Sequence, residues 1–66
     1  MDCHVEIKRS GEMEQISAIN EARYAIIHGT DEEVIIADSK TGEVLFHYDR
    51  HVIKWMDGDF ARALFL

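Results

Sequence analysis

The chain has no proline and a single cysteine, Cys3, among its 66 residues. A disulfide within the chain is therefore excluded, and a reducing cytoplasm is the expected compartment. Long hydrophobic runs are missing as well. The longest span only a few residues, so no membrane-crossing helix is expected. The first residues, Met1-Asp2-Cys3-His4, lack a basic stretch followed by an apolar one, and no signal peptide is expected. Asp2 stands where myristoylation requires glycine. Positive charge is scarce: seven Lys and Arg face thirteen Asp and Glu, for a formal net charge of −6. Such a chain is repelled by nucleic acid and anionic lipid, and its few bases are scattered. Direct nucleic-acid binding is not expected. A basic protein partner is.

Catalytic patterns are equally thin. The four glycines (Gly11, Gly29, Gly42 and Gly58) are isolated, so no phosphate-cradling loop is present. Cys3 lies in a terminal segment without an adjacent base. His47, Asp49 and His51 make a polar cluster with no nucleophile paired to them. Cys3, His4, His47 and His51 are the conceivable zinc ligands. One cysteine is few for structural zinc, however, and a strand ending between His47 and His51 spoils their spacing of four. No catalytic residue, metal or cofactor is assigned.

What is present suffices for a core. The hydrophobic fraction is 47%, far above that of a disordered tail. One domain spanning residues 1–66 is expected, burying roughly 60% of its unfolded surface and so only marginally stable. Cys3 to Lys8 alternates as a half-buried strand. Met13, Ile16 and Ile19 recur at spacing three, with Ser10 as a cap, which predicts a helix over 12–22; a strand centred on Ile16 to Ile19 is the rival. Arg23 to His28, holding Tyr24-Ala25-Ile26-Ile27, reads as a strand, and so does Val34 to Ala37. Asp38-Ser39-Lys40-Thr41-Gly42 reads as a hairpin loop leading into a return strand over 43–48. These three strands predict a meander. Ile53, Met56, Phe60, Ala63 and Leu64 follow helical spacing across the C-terminal third. A helix packing on the sheet is predicted there. Asp57 or Asp59 could instead cap a shorter helix over 60–66, and Asp57-Gly58 could form a hairpin turn. The fold class is α+β: a small antiparallel sheet packed with one or two short helices.

The charges are distributed unevenly. Between residues 12 and 38 lie Glu12, Glu14, Glu21, Asp31, Glu32, Glu33 and Asp38, against the single base Arg23. The whole net charge of −6 resides there, and the acids and bases elsewhere balance. A charge of this size keeps a small domain soluble. It also makes a candidate docking surface. On a helix, Glu14 and Glu21 would sit about 10 Å apart. In extended chain, Asp31 and Glu33 would project to one side about 6–7 Å apart, close to twice the roughly 3.4 Å rise per nucleotide of a DNA strand. Carboxylates so placed imitate phosphates, and the seven acids are the predicted partner-binding residues. Trp55, Phe60, Phe65 and the apolar end Ala63-Leu64-Phe65-Leu66 suggest a second kind of contact, a homodimer or partner interface.

In size, acidity and lack of an active site the chain resembles the small inhibitors encoded by phages and mobile elements, anti-CRISPR proteins and anti-restriction DNA mimics. The resemblance covers the whole chain in character and rests on no motif. It implies stoichiometric binding to a nucleic-acid-handling effector in the host cytoplasm, blocking its DNA site.

Overall fold

A computed structural model describes residues 3–16 and 19–66. Among them the chain runs β1 (Cys3–Arg9), β2 (Glu12–Ile16), α1 (Ile19–His28), β3 (Glu33–Asp38), β4 (Val44–Asp49), β5 (Val52–Met56) and α2 (Gly58–Phe65). The strands form one antiparallel sheet in the order β2-β1-β3-β4-β5. This is the expected α+β class, with two helices.

The alternation in β1 holds. Val5 and Ile7 are fully buried, while His4, Glu6 and Lys8 face the other way. Cross-strand partners share a face. Val5 and Ile7 therefore stand beside Ile36 and Val34, which stand beside Phe46 and Tyr48. With Leu45 of β4, these six side chains form the sheet's half of the core. Ala22 and Ala25 of α1 and Phe60, Ala61 and Leu64 of α2 close over them. Phe65 meets the ring of Phe46 edge-on, centroids 6.0 Å apart.

The loop over 38–42 forms as expected. Asp38 Oδ1 accepts from the backbone N–H of Lys40 at 2.8 Å and of Thr41 at 3.1 Å, and Gly42 takes a positive φ of 76°. β4 carries a bulge: Ile36 pairs with Phe46 but Ala37 with Val44, so Leu45 is the extra residue. Leu45 and Phe46 are consecutive and both buried, which the kink permits.

Three expectations are corrected. Residues 12–22 are not one helix. Ser10 and Gly11 both adopt positive φ (52° and 81°), reversing the chain at once, and Glu12–Ile16 pairs with β1. The rival strand over Ile16 to Ile19 includes residues 17 and 18, which lie outside the described residues. Residues 23–28 are helix rather than strand. The buried face of α1 is built from Ala22 and Ala25, while Tyr24 and Ile27 stand about 60% exposed. Small residues let the helix approach the sheet closely; of the large ones that suggested a strand, Ile26 packs at the edge of the core and Tyr24 and Ile27 face solvent. The meander is accordingly β3-β4-β5. Finally, Val52–Met56 is a strand, not the start of a helix. Asp57 caps the helix that follows, its Oδ2 accepting from Phe60 N at 2.9 Å.

The hairpin joining β4 to β5 turns on Arg50 and His51, with φ of 48° and 70°. Neither is the glycine or asparagine that such a turn favours. Tyr48 helps hold it: its hydroxyl and His51 Nδ1 share a hydrogen bond of 3.1 Å. The His51 ring lies close against the position a Cβ on Gly29 would take, with Nδ1 3.0 Å from it. The left-handed conformation costs a side-chain-bearing residue roughly 1–2 kcal/mol. Arg50, exposed and without a packing role, should therefore be replaceable with gain. Arg50→Gly is expected to raise stability by about 1 kcal/mol, read as a higher urea midpoint at unchanged m-value; a lower midpoint would contradict the strain.

Candidate partner-binding surface

The seven acids do not act alike. Three contact a base that lies outside their segment, Arg9 at the end of β1, and Glu12 and Glu32 lie beside that cluster. Cross-strand register puts Glu12 opposite Arg9 and Glu14 opposite Ile7, so both point to the helix side of the sheet. β2 is an edge strand whose inward side chains the helices leave exposed, and Glu14 is half-exposed. From α1, Glu21 occupies the first turn, where the helix dipole favours an acid. From the loop before β3 comes Asp31.

Arg9 joins these elements. Its Nε donates to Asp31 Oδ1 at 2.9 Å and its Nη2 to Glu21 Oε1 at 2.5 Å, while Nη1 stands 3.8 Å from Glu14 Oε2. The hydrogen bond to Glu21, then that to Asp31, holds the guanidinium more firmly protonated than usual. The Asp31 side chain is only 8% exposed, whereas those of Glu14 and Glu21 are about half exposed. Glu32 accepts from Gly11 N at 3.2 Å, tying the β1–β2 turn to the same loop. Among the described residues Glu12 has no ion-pair partner. Glu12, Glu14, Glu21, Asp31 and Glu32 thus form one surface around a single guanidinium, and it stays strongly negative. Beside it lies an open concavity of about 530 Å³ lined by Gly29, Thr30, Asp31, Glu32, Arg50 and His51.

Two acids belong elsewhere. Asp38 sits at the far end of the sheet, caps its turn, and is acidified by the N–H of Lys40 and then of Thr41. Its bonds to the turn therefore favour the folded state above the ordinary carboxylate range and are lost as pH falls below it. Glu33 points to the opposite, helix-free face, where its Oε2 accepts from His47 Nε2 at 2.8 Å. The phosphate-like spacings expected from sequence do not occur: Glu14 is on a strand and Glu21 on a helix, and Asp31 turns toward Arg9 while Glu33 turns away.

The conceivable zinc ligands are not brought together. His4 Nε2 lies 3.0 Å from Glu6 Oε1 and 3.2 Å from Gln15 Nε2, and His51 packs against Tyr48. Among the described residues one group holds ligand atoms near enough to share an ion: Glu33, His47 and Asp49, all within 4.8 Å of one another. An apolar groove of about 310 Å³ lies between the helices, lined by Cys3, Ile19, Asn20, Arg23, Phe60, Ala63 and Leu64. None of the seven acids borders it.

Neither a family model, nor a curated protein, nor a solved structure matches this chain significantly. No helix among the described residues is long and apolar enough to cross a membrane. The reading of the surface therefore rests on its own geometry.

Sequence inspection missed Arg9, because its base is balanced on paper by acids outside residues 12–38. The available signal was the two-residue turn at Ser10-Gly11, which folds Glu12 and Glu14 back beside Arg9. Arg9→Met keeps the apolar stem and removes the charge. It leaves Asp31 enclosed without its main donor and is expected to cost about 1–3 kcal/mol. Glu14→Gln, at a half-exposed pair, should cost at most about 1 kcal/mol. Chemical denaturation of the two variants checks the order; equal effects would remove Arg9 from its central place.

Proposed function

We propose that the protein works by binding rather than by chemistry, as a stoichiometric inhibitor of a nucleic-acid-handling effector. Its acidic surface occupies a basic groove of that effector in the host cytoplasm, in the manner of anti-CRISPR and anti-restriction proteins. One observation carries the reading: Glu14, Glu21 and Asp31, drawn from β2, α1 and a loop, converge on Arg9, with its cross-strand partner Glu12 and the Gly11-bound Glu32 alongside. Arg9 fixes two of these carboxylates and leaves others facing solvent, so a negative surface is held in shape before any partner arrives. Preorganisation of that kind lowers the entropy cost of association. A partner lysine or arginine would meet the carboxylates at the rim, Glu12 and Glu14, which are more exposed than Asp31.

The test is competition against labelled duplex DNA on purified CRISPR and restriction effectors. The protein is expected to displace DNA with an affinity that falls steeply as salt rises. The triple variant Glu12→Lys, Glu14→Lys and Glu32→Lys, checked for folding by circular dichroism, should lose roughly 100-fold in affinity or more. Retained affinity in the folded triple variant would sink the proposal.

A second reading rests on β5. Every residue of this edge strand is exposed, including Val52 (54%), Ile53 (49%), Trp55 (55%) and Met56 (45%). An unpaired edge bearing apolar side chains on both faces invites pairing with another strand. Self-association through β5 is expected to resist salt and to disappear in Val52→Lys/Met56→Lys, as read by sedimentation velocity. Trimming Leu64 is no clean alternative, since that side chain is buried in the core. A monomer at all concentrations would eliminate this reading.

A further inference from the structure

We infer that Glu33, His47 and Asp49 form a binding site for a divalent transition-metal ion on the helix-free face of the sheet. The sequence separates these residues, and β3–β4 register assembles them. Glu33 and Asp49 are direct cross-strand partners, and His47 lies two residues before Asp49, on the same face. His47 Nε2 is already 2.8 Å from Glu33 Oε2. All three ligand atoms fall within 4.8 Å of one another. Atoms bound to one zinc ion at about 2.0–2.2 Å stand at most about 4.4 Å apart. A small side-chain rotation therefore closes the set.

A second observation shows why a cation is wanted there. Two carboxylates directly opposite each other on a sheet face repel, and such a pair destabilises the sheet. The neighbouring bases do not relieve it. Lys8 is the cross-strand partner of Glu33 on its other side, yet among the described residues no carboxylate lies within ion-pair reach of it. Arg50 approaches Asp49 only at 3.9 Å, from a side chain 79% exposed. Among the described residues only His47 holds Glu33 in a hydrogen bond or ion pair, and imidazole is itself a common ligand of transition metals. A divalent ion would satisfy both carboxylates and the imidazole together.

The donor set selects the class of ion. Imidazole beside carboxylate suits zinc and its neighbours in the first transition row, whereas calcium and magnesium favour oxygen alone. Three protein ligands leave at least one coordination position for water or for a donor from a partner. The site is half-buried, between Ile35 and Trp55 in its own cross-strand row.

Zinc chloride titrated into chelator-stripped protein by calorimetry, with cobalt chloride as a fluorescence probe, tests the assignment. One zinc per chain is expected. Because Trp55 is the only tryptophan and pairs across from His47, cobalt should quench its emission with the same stoichiometry. His47→Gln and Asp49→Asn should each weaken zinc binding at least tenfold, since even outer-shell changes cost about 10–100-fold. Cys3→Ser/His4→Gln should leave it unchanged. His47→Gln keeps a hydrogen-bonding group beside Glu33, and Asp49→Asn changes no volume, so at least one folded variant is available. No binding at 1 mM zinc, or binding that survives both substitutions, overturns the site. The outcome is independent of the DNA-competition test, which concerns the other side of the sheet.

Discussion

Two short helices have to cover one face of a five-stranded sheet, and they pack chiefly against β1, β3 and β4. That shortage of cover shapes the rest of the molecule. The six sheet residues beneath the helices are closed off, and almost everything chemically distinctive lies where the helices do not reach. Glu12 and Glu14 point toward the helix side but project from an edge strand. Ile53 and Met56, cross-strand from Tyr48 and Phe46, also point to the helix side and remain about half-exposed. The whole opposite face stays open, with Glu33, His47 and Asp49 upon it. A domain of this size cannot bury more, since surface falls slowly as a chain shortens. The exposed remainder is the part available for function.

Arg9 turns a surplus of charge into a surface. Carboxylates from β2, α1 and the loop before β3 would otherwise repel one another, and the sheet edge would lose by bringing them together. A guanidinium with several donors in a fixed plane can serve two carboxylates at once. It does so for Glu21 and Asp31, enclosing the second. The base lies at the centre and the unneutralised charge at the rim. That arrangement differs from a spaced ladder of phosphate substitutes along a helix, the picture the sequence suggested. A cluster offers high local potential to a few basic side chains, rather than a register to be read along a groove.

Legibility in the sequence followed the locality of the forces. The 38–42 loop was readable because Asp38, Lys40, Thr41 and Gly42 settle it among themselves. The alternation of β1 was readable because one face is buried and the other is not. Asp57 as a cap was one of the open alternatives, and its carboxylate does begin α2. The β4–β5 hairpin was opaque because its turn residues, Arg50 and His51, carry no turn signature; tertiary contact of His51 with Tyr48 and Gly29 supports them instead. α1 was opaque because its core side is alanine, so the large side chains marked the wrong face. The acidic segment was visible as composition, but which acids converge depended on Arg9, which lies just before the segment and meets its acids through β1–β2 pairing and the return of α1.

Glu33 shows how register divides what composition groups. By sequence it belongs with Asp31 and Glu32. By the pleat it faces away from Arg9 and joins His47 and Asp49, which composition assigned to the neutral remainder. An ion held there would lower the negative charge of the open face while leaving the Arg9 cluster on the other side intact. Glu32 and Glu33 are chain neighbours, so an ion at Glu33 lies close to one edge of the acidic surface, and salt screens its effect on the more distant carboxylates. At low salt the screening length grows, and a bound divalent ion would weaken the negative field of the acidic surface. Any coupling between the sites must then be electrostatic and must fade as salt is added, because no side chain is shared between them.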